Sequence, residues 1–70
     1  MDEKEFKNYI KNNEALYLIE YCFENLTTKQ VQIAFNKVIE NNEGHLLLKY
    51  CYEKLTEEQI NIIKMKNNLT

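Results

Sequence analysis

Apolar residues recur three and four positions apart through most of the chain. Leu18, Ile19, Cys22, Phe23 and Leu26 form one stripe, Val31, Ala34, Phe35, Val38 and Ile39 a second, and Leu47, Leu48, Cys51, Tyr52 and Leu55 a third. This period puts the side chains on one face of a helix. A shorter stripe of Phe6, Tyr9 and Ile10 opens the chain, and Ile60, Ile62, Ile63 and Met65 close it. The pattern predicts five helices, at 3–11, 15–25, 28–40, 45–54 and 57–66. Residues 67–70 are expected to fray, because Lys64, Asn67 and Asn68 stand where the third helix has Phe35, Val38 and Ile39.

The stripes repeat at an offset of 29 residues. IKNNE at 10–14 returns as IENNE at 39–43, and EYCFENLT at 20–27 returns as KYCYEKLT at 49–56. Across residues 6–33 against 35–62, 13 of 28 positions are identical, including the Tyr-Cys and Leu-Thr pairs and the glutamine at 30 and 59. Self-similarity at a fixed period marks stacked supersecondary units.

Helix starts can be placed inside each unit. Thr27 and Thr56 suit the N-cap, where a hydroxyl accepts from an orphan first-turn amide, and Gln30 and Gln59 fall where they can return the bond and close a capping box. Leu26 with Val31, and Leu55 with Ile60, are spaced as hydrophobic staples that set the angle at which the chain enters the helix. The Asn-Asn pairs at 12–13 and 41–42 interrupt the stripes, the second with Gly44. The expected fold is all-α: one domain, 1–70, made of a duplicated antiparallel helical hairpin, units 15–40 and 45–66, behind a leading helix 3–11. Linkers of a few residues make successive helices neighbours, as a compact right-angled bundle or a very short solenoid. The arrangement resembles helical-repeat arrays in general and matches no one repeat consensus.

Composition narrows the function. With no proline and one glycine, the turn chemistry of small sheet domains is missing. A chain of 70 residues buries only about 60% of its unfolded surface, which leaves little room for a deep substrate cavity. The net charge is −2, and all nine basic residues are lysines. Without arginine, the forked donors common on phosphates and guanine edges are lacking. No apolar run is long enough to span a bilayer, and residues 1–13 lack the apolar stretch of a signal peptide, so a cytoplasmic setting is the default expectation. Richness in Asn, Lys and Ile fits an AT-rich genome, such as a low-GC bacterium, its phage or another mobile element.

Candidate chemistry is sparse. Cys22 and Cys51 occupy equivalent places and read as small core residues, and His45 reads as a surface or capping residue. His45 and Cys51 lie nearly two turns apart with no third orienting group, and the spacing of Cys and His suits no zinc site. Glu20 and Glu24 share a helix face but lack a cleft. No catalytic residue, metal ligand or cofactor site is assigned, and the chain is read as no enzyme.

The tyrosines stand out instead. Tyr21 and Tyr50 repeat at one position, Tyr17 lies a turn before Tyr21, and Leu46 is the counterpart of Tyr17. They widen the apolar arc beyond what one layer of contact covers. Tyr17, Tyr21, Glu24, Leu46, Tyr50 and Glu53 are therefore the candidate partner-binding residues, with Tyr21 and Tyr50 expected side by side if the units stack. The function expected is a protein-interaction module, a regulator or inhibitor that binds a larger protein, or a self-dimer. Two alternatives were weighed. The run Glu24–Gln30 is similar to the opening of some helix-turn-helix units, yet the helix after the next turn offers only Lys49 and Lys54 to a groove. The other is a purely structural, oligomerising element. Neither membrane nor nucleic acid is the expected partner.

Overall fold

The computed structural model describes residues 1–67. They form five α-helices and, among the described residues, no strand: α1 (Glu3–Lys11), α2 (Ala15–Tyr21), α3 (Thr28–Glu40), α4 (Gly44–Tyr50) and α5 (Glu57–Asn67). Short 3-10 turns, Phe23–Asn25 and Tyr52–Lys54, follow α2 and α4. The all-α expectation holds. Of the residues 67–70 expected to fray, Asn67 is still helical, as the last residue of α5, and 68–70 lie outside the described residues.

Helix starts lie where the capping arithmetic put them. Thr27 N–H donates to Gln30 Oε1 at 3.0 Å and Gln30 N–H to Thr27 Oγ1 at 3.1 Å. Thr56 and Gln59 make the same pair of bonds at 3.0 and 3.1 Å. The staple residues Leu26, Val31, Leu55 and Ile60 are all half-buried. Helix ends are equally regular. Asn13 and Asn42 both have φ of 61°, a left-handed conformation that asparagine tolerates better than most residues. At the first, Asn13 N–H donates to the Ile10 carbonyl and Glu14 N–H to that of Tyr9; at the second, Asn42 donates to Ile39 and Glu43 to Val38. These are Schellman closures, and they give the repeated Asn-Asn-Glu its physical meaning.

Gly44 plays another part than the one read from sequence. It does not end α3; it is the buried first residue of α4, and its φ is not positive. A β-carbon there would sit 3.0 Å from Ile39 Cδ1 and 3.2 Å from Ile63 Cγ2. The glycine lets the start of α4 approach both α3 and α5, where the equivalent corner holds Ala15.

The second and fourth helices are shorter than expected. Residues 15–25 and 45–54 are not continuous helices: α2 stops at Tyr21 and α4 at Tyr50. Cys22 (φ −118°, ψ 14°) and Cys51 (φ −126°, ψ 17°) leave helical geometry, and Leu26 and Leu55 are fully extended. Hydrogen bonding drops from four-residue to three-residue spacing here, with Asn25 N–H on Cys22 O and Lys54 N–H on Cys51 O, both at 2.9 Å. The tighter turn brings each capping threonine back toward the core sooner than a straight helix could. The carbonyls at the end of α2 find a partner from far along the chain: Lys54 Nζ donates to Glu20 O at 2.6 Å and to Ile19 O at 3.4 Å. A lysine suits the negative end of a helix.

The core consists of Phe6, Ala15, Leu18, Ile19, Ala34, Phe35, Val38, Leu47, Cys51 and Ile63. α2 packs most extensively on α3 and α4 on α5, while α2 meets α4 and α1 meets both α2 and α3. The molecule measures 36 × 21 × 18 Å, so its interior is one side chain deep along its length. Two members of the expected stripes are exposed: Tyr52 at 55% and Met65 at 69%, since a 3-10 turn and the sparse end of α5 offer little to cover them.

One polar side chain is fully inside. Gln30, 2% exposed, donates from Nε2 to Met1 O at 2.8 Å and to Glu3 Oε1 at 3.0 Å while its Oε1 closes the cap. The amino group of Met1 completes the strap by donating to the Asn25 carbonyl. Thr27→Ala and Thr56→Ala are each expected to cost about 1 kcal/mol. Gln30→Ala should cost about 2 kcal/mol, because a cap bond and two long-range bonds go together, and Gln59→Ala about half that. Urea midpoints of the four variants check the order, and equal midpoints for Gln30→Ala and Gln59→Ala would remove the strap from the account.

Candidate functional site

The Schellman closure at Asn13 reverses the chain between α1 and α2, laying Tyr9 against Tyr17. Their ring centroids are 5.8 Å apart and the planes 16° from parallel. One turn on, Tyr21 meets Tyr17 at 5.1 Å and 44°, the contact expected of side chains four apart on a helix. Tyr9 is half-buried, Tyr17 is 44% exposed and Tyr21 68% exposed. Three rings thus run as a strip from α1 along α2 with much of their surface in water.

The strip is not the one drawn from sequence. Tyr17 and Tyr21 come together as expected, with Glu24 exposed on the following 3-10 turn. Tyr50 is 55% exposed but belongs elsewhere, with Lys49 Nζ 5.2 Å from its ring centroid. Among the described residues, ring contacts join Tyr21 to Tyr17 and not to Tyr50. Glu53 is exposed and Leu46 half-buried on the second unit. The missed member is Tyr9, which aligns with Val38 and so read as core. A signal was present: Val38 is wholly buried, and a phenol at the matching place has to project past the space a valine fills.

Carboxylates surround the strip. Tyr9's pKa is raised above its ordinary 10.0, first by desolvation and then by Cys22, Tyr17, Glu5 and Glu14. Tyr21's is raised chiefly by the Glu20 carboxylate. Between Lys11 and Lys29 the chain has no basic residue. A shallow depression of about 250 Å³ opens at the foot of the strip, lined by Glu5, Asn8, Tyr9, Asn12 and Glu14.

Elsewhere a broader groove of about 420 Å³ separates α3 from α5, lined by Phe23, Val31, Phe35 and Ile62 and by polar residues including Gln32 and Gln59. Lys54, at its edge, is engaged with the α2 carbonyls and lies 6.0 Å from the Phe23 ring centroid. Cys22 and Cys51 are both free thiols, Cys22 half-buried and Cys51 buried. Burial, then Glu20, raises the Cys51 pKa above 9.0, with Lys54 opposing; a thiol that holds its proton so tightly is a poor nucleophile. His45 is exposed on the first turn of α4. Among the described residues no three His, Cys, Asp or Glu side chains converge as metal ligands, and no helix is long and apolar enough to cross a membrane.

Comparison with protein-family models, curated proteins and solved structures finds no match to this chain.

Two measurements follow from the titrating groups. Cys22 should react with iodoacetamide faster than Cys51 in the folded protein, and the difference should vanish in denaturant; equal folded rates would contradict the burial of Cys51. Cys51, Tyr9 and Tyr21 hold their protons more tightly folded than unfolded. Their contribution to stability is therefore complete below about pH 9 and is lost as pH rises through the raised folded values. Urea midpoints should decline between about pH 9 and pH 11, and less steeply in Tyr21→Phe. A midpoint that rises over this window would reverse the sign.

Proposed function

We propose that this chain is a small non-enzymatic interaction module that regulates or inhibits a larger protein by covering part of its surface. The observation that carries the reading is the Tyr9–Tyr17–Tyr21 strip: three touching rings held on two short helices, Tyr9 packed against the core and Tyr17 and Tyr21 exposed. Aromatic side chains on rigid backbone give a large contact area for little entropy loss on binding, and for this reason they dominate interface anchors. The depressions on the molecule are open and shallow, which suits docking better than enclosing a substrate.

We also read the scaffold as a duplicated antiparallel hairpin. Matching backbone angles at Cys22 and Cys51, at Asn13 and Asn42 and at Leu26 and Leu55 support that reading, as do the two identical capping boxes. Duplication supplies a rigid frame, and divergence at Tyr9 and Tyr17, opposite Val38 and Leu46, gives one unit the aromatic surface.

A photoreactive phenylalanine analogue placed at 17 or 21, expressed in the native cell, should form a discrete covalent adduct, whereas the same analogue at Asn36, in the α3–α5 groove, should not. Adducts only at 36 would move the working surface to that groove. In parallel, Tyr21→Ala should shift stability by less than about 0.5 kcal/mol, against roughly 3 kcal/mol for Phe35→Ala. Comparable losses for the two would make the tyrosine part of the core.

A further inference from the structure

We propose that the tyrosine strip docks a basic protein segment, with one lysine or arginine side chain laid over the rings and its charged head set between Glu5 and Glu14. The inference rests on the strip being the binding surface and adds the chemistry of what binds there.

Three observations select a cation. The depression at the foot of the strip is lined by two carboxylates, two amides and the Tyr9 ring, with no basic residue among them. The carboxylate of Glu14 is uncommitted, because although Glu14 precedes α2 it makes no side-chain capping bond. Glu5 and Glu14 also contribute to the raised Tyr9 pKa, after desolvation, Cys22 and Tyr17, as carboxylates beside the ring do.

Charge is also sorted around α1. Lys7 and Lys11 line a separate depression with Glu3, Phe6, Ile10 and Ile33, none of which lines the depression beside Tyr9. From α2 onward the exposed or half-exposed charges are Glu14, Glu20 and Glu24, and the ammonium of Lys54 is held by the Ile19 and Glu20 carbonyls. Electron-rich ring faces beside carboxylates attract guanidinium and ammonium groups, which gain from the ring quadrupole and from the ion pairs together. A second copy docked strip to strip would oppose these glutamates to themselves, and an acidic partner would meet the same repulsion.

The test uses the full chain and three short synthetic peptides of equal length, in which serine alternates with arginine, glutamine or glutamate. Binding is followed by NMR, reading the Tyr9, Tyr17 and Tyr21 ring signals and the Glu14 amide. The arginine peptide is expected to move these signals, to bind at least about tenfold tighter than the glutamine peptide, and to weaken as salt is added. Glu5→Gln combined with Glu14→Gln should weaken it about tenfold. Tyr17→Leu should weaken it about fivefold while Tyr17→Phe keeps it, as a ring-face contact requires. Equal binding of the arginine and glutamine peptides, or no effect of the paired glutamine substitutions, overturns the proposal. If crosslinks still form at 17 and 21 in that case, the surface stands and only its preference for cations falls. If they form at 36 instead, the surface itself is wrong.

Discussion

The amide of Gln30 ties the start of α3 to the start of the chain. Its oxygen closes the start of α3, and its nitrogen holds the main chain of Met1 and the carboxylate of Glu3. A buried primary amide must satisfy donors and acceptor alike or destabilise the fold. Here every bond it makes is also an instruction: where α3 begins, and where α1 lies against it. With α1 so placed, the closure at Asn13 delivers Tyr9 to Tyr17, and the strip follows. Gln59 closes the same cap at α5, but among the described residues its nitrogen has no comparable strap, and an open groove lies between α5 and α3.

Size explains why so many small devices are needed. α2 and α4 have only seven residues each, well below the length at which a helix is stable alone in water. They persist because Schellman closures, capping boxes and the Lys54 bonds satisfy their neighbours' ends, and because Leu18, Ile19 and Leu47 are wholly buried. An interior one side chain deep has no second layer to hide further rings. Tyrosine surplus to the core must therefore lie at the surface, and an aromatic strip with an acidic border becomes affordable without loss of packing.

The thin interior also engages two reactive side chains in structure. Cys51 sits in the core with its proton held by burial, and Lys54 spends its charge on helix carbonyls. Both are engaged in structure, whereas the tyrosine strip offers phenols beside carboxylates.

The sequence by itself determined the all-α class, the starts of α3 and α5 and the ends of α1 and α3, because each rests on hydrogen bonds between residues at most five apart and on a stripe whose period can be counted. It also marked Tyr17 and Tyr21 as surplus to the core, since their spacing is that of one helix face. Tertiary structure alone decided the rest. The breaks at Cys22 and Cys51 show no glycine or proline; at both a tighter turn takes up the backbone, and at the first a distant lysine also satisfies the α2 carbonyls. The burial of Gln30, the glycine at 44 and the stacking of Tyr9 on Tyr17 likewise depend on partners 29, 19 and eight residues away. A local pattern names the face a residue occupies, but only the packed chain decides what that face meets.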